Sequence, residues 1–197
     1  MLASASPRRR ELLAAAGVDF EVAPADVDED LGAFDQPSDA ALALATRKAL
    51  ARAERFAADG VRAFVIGADT IVAVRAPDAG AWRLLGKPTG DDDARNMLAS
   101  LSNSRHQVIT AVCVARSPDL ACYSAFERTW VSMRPISAAE REAYVASGEW
   151  RDKAGGYAIQ ETADAFVTRL EEGGFDNVVG LPVELTLRLL RAAGADA

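Results

Sequence analysis

The chain has 197 residues, 50% of them hydrophobic, and a formal net charge of −7. That length supports one domain, or two lobes sharing a sheet, around a substantial core. Such an acidic chain argues against general binding of nucleic acid or anionic membrane, although a small basic pocket inside an acidic shell stays compatible with it.

Met1–Ser4 has room only for the end of a short strand. Ser6 followed by Pro7 is a helix start, a hydroxyl cap and then proline at the first helical position, with Leu12, Leu13 and Ala16 on the apolar side and Gly17 as the stop. Arg8, Arg9 and Arg10 crowd the first turn, where the macrodipole disfavours cations. A bound anion would reverse that sign, so Ser4, Arg8 and Arg9 make a candidate phosphate site; the alternative is a solvated basic turn paired with surface acids. No signal-peptide core follows the arginines.

Phe20–Ala25 reads as a short strand. The run Asp26-Val27-Asp28-Glu29-Asp30 after it is either a solvated loop or a source of one carboxylate for a divalent cation. Helical spacing of Leu42, Ala45, Ala49, Ala53 and Phe56 predicts a helix over 38–59, capped by Ser38 and flanked by Lys48. Residues 64–74 then form a buried strand, apolar and β-branched at nearly every position, with Asp69 in its middle. An ionised carboxylate there is costly unless it is paired or holds a metal. Gly67 and Ala68 leave room for something to approach the backbone. Asp69 is therefore either a metal-binding or general-base residue at the floor of a cleft, or a strand-end aspartate bonded to a nearby turn.

A hairpin turn at 75–81, with Pro77, Asp78 and Gly80, leads to a return strand Trp82–Leu85 ending at Gly86-Lys87-Pro88. This is no Walker A loop, because proline follows Lys87 where Ser or Thr is required. A helix over 91–101 buries Ala94, Met97, Leu98 and Leu101. His106–Arg116 and Tyr123–Arg134 read as long strands paired antiparallel through Ser117, Pro118 and Asp119. His106 is the only histidine, which argues for a structural role. Cys113 and Cys122 make neither a disulfide framework nor a metal spacing, Cys113 reads as a small core residue, and the pair fits a reducing, cytoplasmic setting. No apolar run is long enough to span a membrane. Ser137 and Glu140 form a capping box for a helix over 138–147. The stretch 152–160 is glycine-rich and reads as a loop whose backbone lies close to a ligand. Phe166–Leu170 is a last strand, Gly173-Gly174 a turn, and Pro182 starts a final helix with apolar Val183, Leu187 and Leu190.

Seven segments in order, LASASPRRRELL (2–13), RKA (47–49), IGADTIV (66–72), GKP (86–88), SLSNSRHQVITAV (100–112), DKAGGYAIQ (152–160) and VVGLP (178–182), closely resemble the Maf family of nucleoside triphosphate pyrophosphatases, named for septum formation inhibition. The resemblance covers almost the whole chain. It implies a single Maf-like domain over 1–197, with a mixed α/β fold. The sheet is twisted and flanked by helices, in two lobes with a central cleft, similar to the inosine triphosphate pyrophosphatases. It implies hydrolysis of a nucleoside triphosphate to the monophosphate and pyrophosphate. By the same resemblance Asp69 is the proton acceptor, Ser4, Arg8 and Arg9 belong to the phosphate motif, and Glu29, Lys48, Lys87 and Gln160 complete the substrate site. Arg8, Thr70 and Gln160 stand where substrate preference diverges within the family. PRRR, GADT and GGYAIQ resemble the dTTP/UTP branch rather than the 7-methyl-GTP branch, which shows PWRR and GSDQ. This chain departs from the family pattern in a first strand that starts almost at Met1 and in Gly156, where alanine is more usual. A nucleotide-sensing regulator of cell division without turnover is the reading from another class, and the intact Asp69 and basic clamp count against it.

A triphosphate carries about four negative charges and cleavage moves charge onto the leaving pyrophosphate, so cations supply much of the stabilisation. Arg8, Arg9, Lys48 and Lys87 are the expected clamp. A divalent cation, Mg²⁺ first and Mn²⁺ or Co²⁺ as alternatives, would lie between phosphate oxygens and the carboxylates of Asp69 and Glu29. The expected partners are the nucleotide and, by resemblance, a second copy of the chain, with no nucleic acid and no membrane.

Overall fold

A computed structural model describes residues 1–29, 34–75 and 80–196. Asp30 of the acidic run, and Pro77 and Asp78 of the expected hairpin turn, lie outside the described residues. Five strands, β1 (Ala63–Arg75), β2 (Trp82–Leu85), β3 (Arg105–Ser117), β4 (Ala121–Met133) and β5 (Val167–Glu171), join in one sheet in the order β2-β1-β3-β4-β5. β2 lies antiparallel on β1 with Val72 opposite Leu85, and β5 lies antiparallel on β4 with Val131 opposite Leu170. Leu2 adds parallel bridges to Val22 and Ile66. The helices are α1 (Pro7–Ala15), α2 (Pro37–Ala58), α3 (Asp91–Leu101), α4 (Ala138–Ser147), α5 (Phe175–Val179) and α6 (Val183–Ala193). The expected mixed α/β architecture is the observed one.

Local signals account for most boundaries. The Ser6 side chain caps α1 by accepting from the Arg9 N–H, and both halves of the Ser137–Glu140 capping box are made at α4. Four expectations need correction. The Phe20–Ala25 strand shrinks to a single bridge at Val22. α2 begins at Pro37, with Gln36 at the cap position and Ser38 already inside the helix, because proline suits the first helical position. α5 has no counterpart in the sequence reading, since five residues are too few for periodicity to declare itself. Pro182 precedes α6 as its N-cap, and the buried face of that helix is Leu185, Thr186, Leu190 and Ala193, with Val183 and Leu187 only partly covered.

The chain divides into two compact units, one of Met1–Asp69, Thr110–Glu127 and Gly180–Ala197, the other of Thr70–Ile109 and Arg128–Val179. β1, β3 and β4 each contribute residues to both. The first unit has a core of Leu2, Leu13, Ile66, Val112, Val114 and Leu181. The second is built around Val72, Leu98, Leu101, Val108, Tyr144 and Phe166.

Within the first unit α2 packs its backbone directly on β1 at Gly67. A Cβ there would lie 2.3 Å from the Ala45 carbonyl oxygen and 2.6 Å from the Ala49 nitrogen. Ala45, Ala49 and Ala53 are completely buried, and their small side chains permit this approach. What comes close to the strand at Gly67 is thus the helix that carries Lys48.

Within the second unit His106 is fully buried. The Ser104 hydroxyl donates to the Leu101 carbonyl (2.7 Å), so toward the ring, 3.3 Å away, it accepts from Nδ1–H. That leaves Nε2 to accept from the Tyr157 hydroxyl at 2.9 Å. Burial pushes the imidazole down to about 3 and raises the Tyr157 hydroxyl above its ordinary value. The expected structural role of His106 stands, with Tyr157 as its partner.

Two predictions follow from this packing. Gly67→Ala must move α2 off β1, because the new methyl meets backbone rather than a flexible side chain. The expected cost is about 1–3 kcal/mol, the usual range for overpacking, read as a lower urea midpoint; an unchanged midpoint would show that the helix yields freely. For His106 the folded-state value lies below the unfolded value of about 6.5, so between the two the unfolded chain binds the proton and the folded chain does not. This contribution is full above about pH 6.5 and is lost as pH falls toward 3, with a slope of up to about 1.4 kcal/mol per pH unit. Urea denaturation at pH 7 and pH 5 should show a smaller loss for His106→Gln than for the parent, and parallel losses would refute the assignment.

Candidate active site

Asp69 sits in β1 two residues beyond Gly67, on the same side of the strand by its period of two. Lys48 lies on α2 between Ala45 and Ala49, the residues that touch Gly67. The close approach therefore brings the two side chains together: Lys48 Nζ donates to Asp69 Oδ1 at 2.6 Å, and both residues are buried. The same ammonium pairs with Glu29 Oε1 at 2.6 Å. Glu29 is held there by its own loop, which α2 straps down: Arg52 Nε donates to the Pro24 carbonyl at 2.8 Å, and Arg47 donates to the Asp28 carbonyl. Asp69 is thus a paired interior carboxylate and not an aspartate satisfied by a turn.

Arg9 enters from α1. Its Nε donates to the Gly180 carbonyl at 2.8 Å, and its Nη1 donates to the Ala68 carbonyl at 2.9 Å and to Ser4 Oγ at 3.2 Å. Burial lowers its pKa from the ordinary arginine value; the charges of Asp69 and Glu29 oppose that shift, and Arg8 adds to it. One guanidinium therefore ties the helix start, the residue before Asp69 and the chain entering α6. Ser4 is buried and accepts from both Arg9 and the Ser6 N–H. Arg8 is half-buried and Arg10 exposed. The backbone partners of Arg9 escape sequence reading, because carbonyls carry no residue signature.

The remaining expected residues lie in the second unit. Thr70 follows Asp69, half-buried, and strand alternation turns it to the opposite face. Lys87 is exposed on the Gly86-Lys87-Pro88 turn, and Gln160 is exposed at the end of the loop 152–160. Turn and loop are joined: the Gly155 N–H donates to the Gly86 carbonyl at 2.9 Å, and a Cβ on Gly156 would lie 3.1 Å from Pro88. Gly156 has φ +70°, so glycine is the residue this conformation favours. Lys153, which sequence reading passed over, is buried in the same loop with Glu161 3.3 Å from its ammonium.

Asp69 and Glu29 supply two hard oxygen donors beside one ammonium. Mg²⁺ is usually bound through one or two carboxylates and substrate phosphates, keeping several waters, and this pair fits that mode. Among the described residues no group of three or more His, Cys, Asp or Glu gathers that could cage an ion by itself. Among the described residues no helix is long and apolar enough to cross a membrane.

Comparison with known proteins agrees with the architecture and the motifs. The family described as Maf-like protein matches residues 1–193. A dTTP/UTP pyrophosphatase of Bacillus cereus (strain AH820) is 41% identical over 196 residues, spanning 100% of this chain and 96% of the relative. Proteins of the same name from Bacillus anthracis and from Bacillus thuringiensis subsp. konkukian (strain 97-27) are 41% and 40% identical over the same spans. With the match running nearly end to end, this chain belongs to the Maf family.

Proposed function

We propose that the protein is a nucleoside triphosphate pyrophosphatase that hydrolyses dTTP and UTP to the monophosphate and pyrophosphate. The observation that carries the reading is the buried carboxylate of Asp69 held on Lys48 beside Glu29. It is supported by the name shared by full-length relatives at 40–41% identity. Asp69 is the residue that takes the proton from the attacking water. A carboxylate has about four lone-pair positions, so the Lys48 bond at Oδ1 leaves others for that proton. As the water oxygen bonds to the α-phosphorus, the P–O bond bridging α and β breaks and pyrophosphate leaves with the electron pair. A divalent cation held by Asp69 and Glu29, Mg²⁺ first, would neutralise phosphate charge when bound.

Lys48 gives the Asp69 carboxylate a counter-charge inside an apolar strand, 2.6 Å away. Arg9 fixes the strand at Ala68 and adds positive charge beside the carboxylate. Ser4, Arg8, Arg9, Lys48 and Lys87 face the triphosphate in this proposal, while Thr70, Arg8 and Gln160 set the choice of base. A cytoplasmic location and assembly as a homodimer belong to the same proposal.

Pyrophosphate release across a panel of nucleoside triphosphates tests the substrate class. Turnover should be highest on dTTP and UTP and should vanish with a chelator; best turnover on a purine triphosphate would overturn the pyrimidine assignment. Asp69→Asn keeps the shape and removes the charge, so activity should fall by at least ~10²-fold, the low end for general-base catalysis, in a variant that still folds. Near-normal turnover there would refute the role of Asp69. Arg9→Ala should lower kcat/KM for all triphosphates alike, because its ties hold the strand at Ala68, next to Asp69, and every nucleotide brings the same phosphates. Gln160→Ala should instead compress the ratio of kcat/KM for UTP over CTP and over GTP, since an amide that bonds a base edge supplies selectivity. A ratio that moves with Arg9→Ala and not with Gln160→Ala would reverse the two placements.

A further inference from the structure

The loop 152–160 has no ladder of its own. Asp152, Gly155 and Gly156 all have left-handed backbone, with φ of +61°, +70° and +70°. Such a segment holds one shape only if neighbouring elements fix it. Three tethers do so: the Gly155 N–H on the Gly86 carbonyl (2.9 Å), the Ala158 N–H on the Tyr144 hydroxyl (3.3 Å), and the Tyr157 hydroxyl on His106 Nε2 (2.9 Å). The third is the only one of these in which the loop contributes a side chain, and it lies three residues before Gln160. The Tyr157 ring sits in the core of the second unit and meets His106 edge-on, with centroids 5.7 Å apart and planes at 87°. His106 is itself oriented from behind by Ser104, which is anchored on Leu101. Any loop shape that drew Tyr157 outward would leave the buried His106 Nε2 acceptor without its partner.

We propose that His106 and Tyr157 are positioning residues for base selection, setting the loop 152–160 so that Gln160 meets the base edge. This rests on the reading of Gln160 given above. Neither residue is exposed, so their effect passes through Gln160 and not through contact with the nucleotide.

The test is a double-mutant cycle on UTP and CTP. Tyr157→Phe keeps the ring and removes only the O–H. It should raise KM for UTP by about threefold to tenfold, the range one ordinary hydrogen bond supplies. Its kcat should stay within about twofold, and the UTP-over-CTP ratio of kcat/KM should fall. In a Gln160→Ala background the same change should move the ratio no further, because coupled residues are not additive. A Tyr157→Phe protein with a lower Tm and an unchanged ratio has lost only stability, which overturns the proposal. So does a ratio that falls equally with and without Gln160. If Gln160→Ala by itself leaves the ratio unchanged, the reading of Gln160 fails and takes this inference with it, an outcome distinct from the other two.

Discussion

The site depends on one ammonium. Lys48 lies buried between Asp69 and Glu29, at 2.6 Å from each. A buried ion pair contributes little net stability, because both charges give up water, but removing one partner strands the other. Its value here is positional. It gives a buried carboxylate in the middle of an apolar strand its counter-charge, and it draws the early loop onto α2. One positive charge against two negative ones also leaves local negative charge, which the neighbouring Arg9 guanidinium partly offsets.

Two features make that arrangement geometrically possible. Gly67 removes the side chain that would hold α2 away from β1, and the alanines at 45 and 49 do the same from the helix side. Arg9 then secures the strand from the other direction through the Ala68 carbonyl. Three arginines at a helix start oppose the macrodipole. The fold answers this for Arg9 by turning its guanidinium onto the carbonyls of Ala68 and Gly180. A residue type that signals a phosphate site in sequence thus also works as a cross-link. The two roles are compatible, since a guanidinium has five N–H donors.

In the second unit, order in an irregular segment comes from buried polar groups. The loop 152–160 borrows a carbonyl from the Gly86 turn, a hydroxyl from Tyr144 and an acceptor from His106. Each of these lies in or beside a packed core, so the loop takes its shape from the core and presents Gln160 at its exposed end. The neutral state of His106 belongs to the same design, because a proton there would place a charge among apolar side chains.

Most strands and helices are legible in the sequence, since their apolar period or their caps are local properties: the stripe of α3, the Ser137–Glu140 box, the run around Asp69. The candidate site residues are legible too, through the motifs GADT, GKP and SPRR and the family resemblance. Elements without a local signal escape the sequence, such as α5 and the start of α2, where a proline outweighs a serine. What only the tertiary structure decided is which charges meet. Lys48 is one of four basic residues, with Arg47, Arg52 and Arg55, on an alanine-rich helix, and nothing local says that it is the one to turn inward. That follows from Gly67, 19 residues later in the chain, where the absence of a side chain lets two backbones touch. Likewise Arg9 finds carbonyls from 59 and 171 residues away. Backbone acceptors have no identity in a sequence; they acquire one only when packing brings them within reach of a donor.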